Sequence, residues 1–463
     1  MSSASHSFSI AIAGSGGSGS VTTGTILLEA LAATGYYGLM TRTSGPQIRG
    51  GESAVMLRFS DREVHSAGDS FDLLLAFDWL KIDRFQDELP LTEESVILGD
   101  SAAGEVPRQI AGGGAKVVDA PLQDIAKAVN GGRANMVGLG VVGGWLDLAP
   151  EILRQAVQRV LAGKGEAVVA ASVACIEQGR ALETPFAREF DLQPAPGSGR
   201  WNISGNEACG LGALQGGVRF VAAYPITPAS EMLEWLAPRL EQLGGSLLQA
   251  EDELASINMI IGGSFGGVPS LTATSGPGLS LMVEALGLAV ASETPVVVVN
   301  VMRGGPSTGI PTKSEQADLN LALYGLHGDA PHLVLAPLDI KDSVFTTQWA
   351  VCLSERLQAT AIVLSDQALA QARAVIDPPV PEAIPCERLK AGAPGDDYFR
   401  YLLTDDGVSP MSVPGIAGGM YTADGLEHNQ HGTPSSMAAD HVAQSAKRLD
   451  KLLTFDYGDR WAE

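Results

Sequence analysis

The sequence predicts an α/β protein built on parallel β-sheets. Short, mostly apolar runs of the length of a buried strand alternate along the chain with segments long enough to form a helix. In the second half of the chain these runs are Phe220–Ala223, Ser246–Gln249, Ser270–Thr272, Pro295–Val301 and Ala361–Leu364. The 463 residues include 55 glycines and 26 prolines, which suits a fold with many tight strand-to-helix turns. At this length we expect two or three domains.

Residues 1–192 are predicted to form the first of these domains. Ser9–Ala13 predicts its first strand, and Val21–Thr34 predicts the helix that follows it. Further strands are predicted at Ser53–Phe59, Phe71–Phe77, Ser95–Leu98 and Ala115–Val118. Helices are predicted at Leu122–Val129, Ala134–Leu146, Glu151–Ala162 and Glu166–Gly179. The pattern predicts a sheet covered by helices.

A glycine-rich loop, Gly14-Ser15-Gly16-Gly17-Ser18-Gly19, joins the first strand to its helix. It matches the pattern G-x-G-x-x-G, in which glycines let a phosphate approach a helix N-terminus. A dinucleotide site also needs an acidic residue about 20 positions further on, but this chain has Arg42 in that region. Three explanations stay open: an NADP site, a site for another phosphate-bearing ligand such as coenzyme A, and a tight turn without a ligand.

The overall charge and the cysteines exclude several classes of protein. A net charge of −23 would repel a phosphate backbone, so we expect no nucleic-acid partner. No apolar run approaches the roughly 18 residues of a membrane span, and the first residues lack the basic part of a signal peptide, so we expect a cytoplasmic protein. The four cysteines, Cys175, Cys209, Cys352 and Cys386, form no Cys-x-x-Cys pair. We therefore expect buried thiols and no metal site in this chain.

The remaining chain divides into three parts. Residues 193–205 are rich in proline, glycine and serine, which predicts a linker. Residues 206–378 contain the apolar runs of the second domain. Residues 379–463 form an extended tail in which Asp440–Leu453 is the one clear helix, and we expect this tail to pack on other domains or subunits.

Polar and glycine-rich segments follow the strands of the second domain. They are Tyr224-Pro225-Ile226-Thr227-Pro228, Glu251-Asp252-Glu253, Thr274-Ser275-Gly276-Pro277-Gly278 and Arg303-Gly304-Gly305-Pro306-Ser307-Thr308-Gly309. Ligands of open α/β sheets bind outside the carboxyl ends of the strands. The sequence therefore predicts a binding site at this edge.

These residues also have ordinary structural explanations. Thr227 followed by Pro228 fits a helix N-cap, because proline is favoured at the first helical position. Glu253 fits a first-turn charge that complements a helix dipole. Arg303 fits a buried salt bridge, and the Thr274 segment fits a tight turn. The residues alone leave both explanations open.

In this order, the four segments resemble the alpha subunit of the 2-oxoacid:ferredoxin oxidoreductases, especially the 2-oxoglutarate type. The first domain resembles the gamma domain of that family, fused ahead of alpha. The resemblance implies a Rossmann-like gamma domain followed by a thiamine-enzyme pyrimidine-binding domain with a parallel sheet. It implies an enzyme that interconverts 2-oxoglutarate, coenzyme A and oxidised ferredoxin with succinyl-CoA, CO₂ and reduced ferredoxin, in a direction that the sequence leaves open.

The resemblance also assigns roles to residues. Glu253 would hydrogen-bond the aminopyrimidine of thiamine diphosphate and favour its imino form, with Glu251 as the rival. Thr227 and Arg303 would hold the substrate carboxylate, and Arg49 would meet the second carboxylate of 2-oxoglutarate across a domain interface. Two further residues are assigned to the substrate, namely Pro225 and Ile226. Residues assigned to the cofactor besides Glu253 are Tyr224, Thr274, Ser275, Gly276 and Gly278.

Partner subunits follow from the same resemblance. The sequence lacks the Gly-Asp-Gly…Asn motif with which thiamine enzymes hold Mg²⁺ and diphosphate. Thiamine diphosphate would therefore be shared with a beta subunit, which in the family also carries a [4Fe-4S] cluster. The expected assembly is an (alpha-beta)₂ heterotetramer that uses coenzyme A and ferredoxin. In the family a further transketolase-like domain follows the tail, so this chain is expected either to be incomplete or to be complemented by a separate polypeptide. The alternatives are an NADP-dependent dehydrogenase and a catalytically silent subunit of an oxidoreductase complex.

Overall fold

The computed structural model describes residues 7–44, 51–80, 82–185, 192–194, 199–395 and 397–458. The chain divides into two compact units. Unit 1 consists of Met1–Ser204 with Gln371–Pro379, and unit 2 of Gly205–Ala370 with Val380–Glu463. Each unit has its own sheet with helices packed on it, so the predicted α/β class is confirmed.

The sheet of unit 1 is mixed. Its strands are β1 Ser7–Ser15, β2 Tyr37–Ser44, β3 Glu52–Ser60, β4 Phe71–Ala76, β5 Leu91–Gly99, β6 Lys116–Asp119, β7 Trp201–Ser204 and β14 Arg373–Ile376. In space they follow the order β6-β5-β4-β1-β3-β2-β14-β7. Strands β1, β4, β5 and β6 are parallel neighbours, whereas β3 is antiparallel to both β1 and β2.

The helices of unit 1 are α1 Ser20–Thr34, α2 Arg108–Ala111, α3 Leu122–Ala128, α4 Ala134–Trp145, α5 Pro150–Leu161 and α6 Glu166–Arg180. Short 3₁₀ turns lie at Ile82–Arg84, Gln86–Glu88, Ser101–Ala103 and Ala162–Lys164. Helix α4 is apolar on all sides and is therefore buried along most of its length. Each strand and helix that the sequence predicted in residues 1–192 is present, with ends that differ by a few residues.

Two strands of unit 1 lie where the sequence predicted other structure. Strand β7 occupies the end of the predicted linker 193–205, and β14 lies near the end of the predicted second domain. Strand β14 pairs with β2 and β7, and the guanidinium of Arg373 donates to the side-chain oxygen and the main-chain oxygen of Asn202 at 3.0 and 2.8 Å. These two residues are 171 positions apart. A local sequence pattern cannot reveal such a pairing.

The strand order of unit 1 argues against the NADP alternative. In the dinucleotide-binding fold the second strand runs parallel beside the first. Here β3 separates β1 from β2 and is antiparallel to both. Arg42, the basic residue of that hypothesis, therefore lies on a strand that does not neighbour β1.

The sheet of unit 2 is parallel. Its strands are β8 Phe220–Ala223, β9 Ser246–Gln249, β10 Ser270–Thr274, β11 Val296–Met302, β12 Leu333–Leu335 and β13 Thr360–Asp366, in the spatial order β12-β13-β11-β10-β8-β9. All residues of β11 and β13 are buried, which explains their continuous apolar character. The five strands predicted in this domain are confirmed, and β12, with only three residues, was not predicted.

Helices connect these strands and cover both faces of the sheet. They are α7 Gly205–Gln215, α8 Ser230–Gln242, α9 Glu253–Phe265, α10 Gly276–Ala291, α11 Leu319–Tyr324, α12 Ile340–Leu357, α13 Gln367–Gln371 and α14 Ala438–Leu453. Apolar side chains of β8, β10, β11 and β13 form the core between the helices.

The tail that begins at Val380 packs on the rest of unit 2. Lys447 and Lys451 of α14 bind the two carboxylate oxygens of the fully buried Glu293 at 2.5 and 2.8 Å. Burial alone would raise the pKa of Glu293, but Lys451 and Lys447 hold it well below its ordinary value. Burial also lowers the pKa of Lys447 to about 8. Buried ion pairs thus fasten the tail to the domain that precedes it.

The structure corrects the expectation for two of the cysteines. Cys352 of α12 and Cys386 of the tail form a disulfide between positions 34 residues apart. The sequence could not indicate this pair, because only the packing of the tail on α12 brings the two residues together. Cys175 and Cys209 are buried free thiols, as predicted, and burial raises the pKa of Cys209 to about 11.

Neither a membrane span nor a metal cluster is found in the part of the chain that the structure describes. No helix there is both long and apolar enough to cross a bilayer. No group of three or more His, Cys, Asp or Glu side chains there is placed to hold a metal ion.

Candidate active site

The four predicted segments lie at one edge of the parallel sheet of unit 2. Strands β11, β10, β8 and β9 are neighbours in that order, and each is followed by one of the segments. In the register of β10 and β11, Thr274 lies beside Asn300. The sheet therefore positions all four segments through main-chain hydrogen bonds.

Glu253 is the first residue of α9, which starts just beyond the end of β9. The side chain of Asp252 caps the helix by accepting a hydrogen bond from the Ala255 main-chain nitrogen at 2.7 Å. The Glu253 side chain points inward and is only 7% exposed, whereas Glu251 and Asp252 are exposed. The two glutamates that the sequence left as rivals therefore differ in burial, and the assignment of Glu253 to the cofactor stays a prediction.

Gly278, in the first turn of α10, makes room for the Glu253 side chain. A Cβ atom at position 278 would lie 2.8 Å from Cγ and 2.9 Å from Oε1 of Glu253, and it would collide with Oγ1 of Thr274. Only a glycine at position 278 leaves room for the Glu253 carboxylate beside the first turn of α10. Among the described residues, no hydrogen bond to the Glu253 carboxylate is found, so it is free to bind a ligand.

Further buried polar atoms at this edge have no partner among the described residues. They are Oγ of Ser275, Oδ1 of Asn300 and Nε of Arg303. Most buried polar groups in proteins are hydrogen-bonded, so a cluster of exceptions needs a specific explanation. Together with the Glu253 carboxylate, these atoms fit a polar ligand that binds at the strand ends.

Arg303, which follows β11, holds two loops together. Its Nη1 donates to the main-chain oxygen of Thr227 and its Nη2 donates to that of Thr308, both at 2.6 Å. The side chain is 8% exposed. Burial lowers the pKa of the guanidinium, although arginine stays charged at any physiological pH. The structure thus brings the Arg303 side chain to the Thr227 main chain and uses two of the arginine's donors for loop contacts. The predicted role of both residues in binding the substrate stays a prediction.

The expectation that Thr227 caps a helix is wrong. Helix α8 begins at Ser230, its N-cap position is Ala229, and no side chain caps it. The chain makes a turn through Pro228 first, so Thr227 stays outside the helix and exposed. Tyr224 and Pro225 are also exposed at the end of β8, and Ile226 is partly buried against the core.

A structured loop follows Arg303, and residues that the sequence did not indicate hold it in place. Asp366, at the end of β13, accepts hydrogen bonds from Gln316 and Ser314 at 2.7 and 3.2 Å. Asn300 donates to Asp318 at 2.9 Å, and a Cβ atom at Gly276 would lie 2.6 Å from the Asp318 carboxylate. One signal could have identified Asn300, because it is an amide within a run of valines that predicts a buried strand.

Unit 1 has a cavity of about 470 Å³ at the glycine-rich loop. It lies at the start of α1 and is lined in part by Gly17, Gly19, Ser20, Asn135, Arg133 and Lys164. Both glycines have φ near +100°, a conformation that disfavours side chains. No carboxylate is among the described residues that line the cavity. Such a lining fits an anionic group. Arg49 lies in residues 45–50, outside the described part of the chain, so its substrate role stays a prediction.

Two protein families match the chain, and together they cover most of it. The family described as "Pyruvate flavodoxin/ferredoxin oxidoreductase, thiamine diP-bdg" matches residues 211–448. The family described as "Pyruvate ferredoxin/flavodoxin oxidoreductase" matches residues 9–182. The first match contains all four segments of the candidate site, and the second contains the glycine-rich loop.

Individual relatives give the same result. The chain is 32% identical to the 2-oxoacid:ferredoxin oxidoreductase subunit alpha of a Sulfolobus species, over 96% of this chain and 78% of the relative. It is 49% identical to the 2-oxoglutarate synthase subunit KorA of Archaeoglobus fulgidus, over 39% of this chain and 52% of the relative. A solved structure of the 2-oxoglutarate:ferredoxin oxidoreductase from Magnetococcus marinus, with 2-oxoglutarate, coenzyme A and succinyl-CoA bound, is 37% identical. It superimposes with a TM-score of 0.89 over 98% of this chain and 80% of that one.

Proposed function

The chain belongs to the alpha subunits of the 2-oxoacid:ferredoxin oxidoreductases, and from this premise we propose that unit 2 holds the aminopyrimidine of thiamine diphosphate for a reaction of 2-oxoglutarate. The family that the sequence motifs predicted is confirmed. The reaction we propose interconverts 2-oxoglutarate, coenzyme A and oxidised ferredoxin with succinyl-CoA, CO₂ and reduced ferredoxin, in the cytoplasm. The specific residues and partners below are part of the proposal.

The observation that carries this proposal is the position of Glu253, which is only 7% exposed and lies so close to Gly278 that a Cβ atom there would be 2.9 Å from its Oε1. Thiamine diphosphate, when bound, supplies the carbon nucleophile that attacks the keto group of the substrate. Glu253 would share a proton with a ring nitrogen of the aminopyrimidine. Little of Glu253 is exposed to water, which would favour this shared proton. The hydroxyl of Thr274 also lies beside Gly278, and both Thr274 and Ser275 are fully buried.

The substrate carboxylate beside the ketone would bind near Arg303 and Thr227. Among the described residues, the Nε–H of Arg303 is a buried donor without a partner. Thr227, whose main-chain oxygen accepts from the same guanidinium, is exposed. A charge-assisted hydrogen bond from a guanidinium to a carboxylate is among the stronger polar contacts in proteins. The choice of 2-oxoglutarate is supported by the KorA relatives and by the ligands named for the Magnetococcus marinus enzyme.

A second subunit is needed to complete the cofactor site. The sequence has no diphosphate-binding motif, and α9 and α10, which carry Glu253 and Gly278, also carry exposed apolar side chains. Leu254 is 52% exposed and Leu281 is 50% exposed. Apolar surface beside an incomplete site is typical of a protein interface. We propose that a beta subunit covers it, binds Mg²⁺ with the diphosphate and carries the [4Fe-4S] cluster in an (alpha-beta)₂ assembly.

Coenzyme A would place its phosphates in the cavity of unit 1. The start of α1 presents main-chain N–H groups to this cavity, and Arg133 and Lys164 add positive charge in a chain whose net charge is −23. The cavity is large enough for a diphosphate. This assignment selects coenzyme A among the explanations that the sequence left open for the glycine-rich loop.

We expect that replacing Arg133 and Lys164 together with glutamine raises KM for coenzyme A roughly three- to tenfold, as expected for lost contacts between exposed cations and phosphate. The values of kcat and of KM for 2-oxoglutarate should not change. Steady-state kinetics of the complex measure both. The control is Lys127→Gln, which removes an exposed lysine of unit 1 that is paired with Asp124. An unchanged KM for coenzyme A in the double variant would contradict the assignment.

The proposed function is tested by comparing the assembled complex with the isolated chain. We expect the chain co-purified with a beta subunit to contain thiamine diphosphate and to reduce ferredoxin with 2-oxoglutarate and coenzyme A, faster than with pyruvate. The isolated chain should bind thiamine diphosphate negligibly in calorimetry, because half of the site is missing. Micromolar binding to the isolated chain would contradict the shared site. A pure complex without turnover of any 2-oxoacid would instead support a silent subunit.

A further inference from the structure

The disulfide between Cys352 and Cys386 connects α12 to the first part of the tail. Cys352 lies on the buried side of α12 and is fully buried, whereas Cys386 is partly exposed. The bond closes a loop whose ends are 34 positions apart, and that loop contains all of β13 and β14. The proposed reaction does not use either cysteine.

The residues around Cys386 hold two helices together. Two positions further on, Arg388 makes two hydrogen bonds to the carboxylate of Glu355 in α12, at 2.8 and 2.7 Å. The same guanidinium donates to the main-chain oxygen and the hydroxyl of Ser264 in α9, at 2.6 and 3.0 Å. All three residues are buried. The segment 382–390, which we call the clamp segment, therefore connects α12 to α9.

A cleft of about 400 Å³ lies beside the disulfide and is lined by Cys352 and by Ile384 and Pro385, which precede Cys386. It is lined by aromatic residues of α12 and of the end of the tail, and Cys352 forms part of its wall. The aromatic residues are Phe345, Trp349, Phe455 and Tyr457. Because Cys352 is fully buried and Cys386 is not, an incoming thiolate would attack the sulfur of Cys386.

We propose that Cys352–Cys386 is a thiol–disulfide exchange site, which a dithiol reductant reaches at the partly exposed Cys386. One thiolate of the reductant attacks Sγ of Cys386, the bond between the cysteines breaks, and the thiolate of Cys352 leaves and takes up a proton. The second thiol of the reductant then displaces Cys386 as a thiol. The two cysteines gain two electrons and two protons, and the reductant becomes a disulfide. The oxidised form of the same dithiol reverses the reaction.

Reduction should loosen the clamp segment. The disulfide restricts the unfolded chain and fixes the segment beside α12, and its loss leaves mainly the contacts of Arg388 to hold the segment in place. We therefore expect main-chain amides of the clamp segment to exchange hydrogen at least roughly tenfold faster after reduction. We also expect the unfolding temperature of the chain to fall by roughly 5–10 °C.

The experiment uses the full chain purified without reductant. Free thiols are blocked in denaturant, and peptide mapping by mass spectrometry should show Cys352 and Cys386 linked and Cys175 and Cys209 alkylated. Treatment of the native protein with dithiothreitol should make Cys386 alkylatable and accelerate hydrogen exchange in the clamp segment. Oxidised dithiothreitol should restore both properties. Free Cys352 and Cys386 in the untreated protein would overturn the proposal, as would a link that only reduces after denaturation.

Two variants separate the disulfide from a general effect of reductant. Cys386→Ser should show fast hydrogen exchange in the clamp segment from the start and no response to dithiothreitol. Cys175→Ala, which removes a buried free thiol from unit 1, should respond to dithiothreitol like the natural sequence. If Cys386→Ser exchanges as slowly as the untreated natural protein, the disulfide does not control the segment and the proposal fails.

Discussion

Glu253→Gln is expected to lower the turnover of the assembled complex at least roughly 10²-fold, in line with the loss of an acid–base group. Glutamine has nearly the same shape as glutamate and should fit in the space beside Gly278. However, it cannot take up or release a proton at the ring nitrogen of the aminopyrimidine. We therefore expect normal assembly and a nearly normal content of thiamine diphosphate, measured by gel filtration and cofactor analysis, with turnover alone reduced.

Glu251→Gln is the matched control, because it makes the same chemical change two residues earlier. Glu251 is exposed, so its replacement should leave turnover within about twofold of the natural enzyme, as for surface substitutions in general. A nearly active Glu253→Gln together with an inactive Glu251→Gln would show that the assignment is wrong by two residues. Equal and small effects of both variants would remove the acid–base role from this turn.

The strands could be predicted from the sequence because burial on both faces leaves a local signal. Strand β11 has seven buried residues, and the sequence contains no other run of valines as long as the one in this strand. Strands β7 and β14 left no such signal. Each has four residues, and each exists because it pairs with a partner far away in the sequence. Long-range pairing is decided by the tertiary fold, so local patterns miss it.

The candidate site was predictable in its location but not in its internal contacts. The sequence placed the polar segments at strand ends, and the parallel sheet does bring those ends together. It left Glu251 and Glu253 as rivals, and only the direction of the first turn of α9 distinguishes them. It misplaced Thr227, because the cap argument assumes that the helix begins at Pro228, whereas α8 begins two residues later.

Residues that support the site were missed for a related reason. Asp318 lies in a polar stretch of the sequence, where a carboxylate is unremarkable by composition, and Asp366 is the last residue of the apolar strand β13 and belongs to no motif. Their role arises from partners at other strand ends, such as Asn300 for Asp318 and Gln316 for Asp366. A side chain whose function is to hold a loop against a sheet has no motif of its own, so the structure was needed to identify it.

Gly278→Ala is the second substitution from which we expect a large effect. An added methyl group at this position would lie against the carboxylate of Glu253 and the hydroxyl of Thr274, both of which are buried. Overpacking of this kind costs about 1–3 kcal/mol. We expect much of this cost to appear as displacement of Glu253 from the aminopyrimidine. A loss of about 2 kcal/mol corresponds to roughly 30-fold weaker binding of thiamine diphosphate to the complex.

Gly287→Ala provides the control, because Gly287 lies on the same helix, nine positions after Gly278. An added Cβ atom there would lie 3.6 Å from His327, which is an ordinary van der Waals distance. Alanine is also the better helix former, so this variant should be as stable as the natural protein or slightly more so. Titration of cofactor-free complex with thiamine diphosphate measures both variants. Equally tight binding of thiamine diphosphate by Gly278→Ala and Gly287→Ala would contradict this prediction. The methyl group at position 278 would then have no effect on the cofactor, and the close approach of Glu253 to α10 would not define the cofactor site.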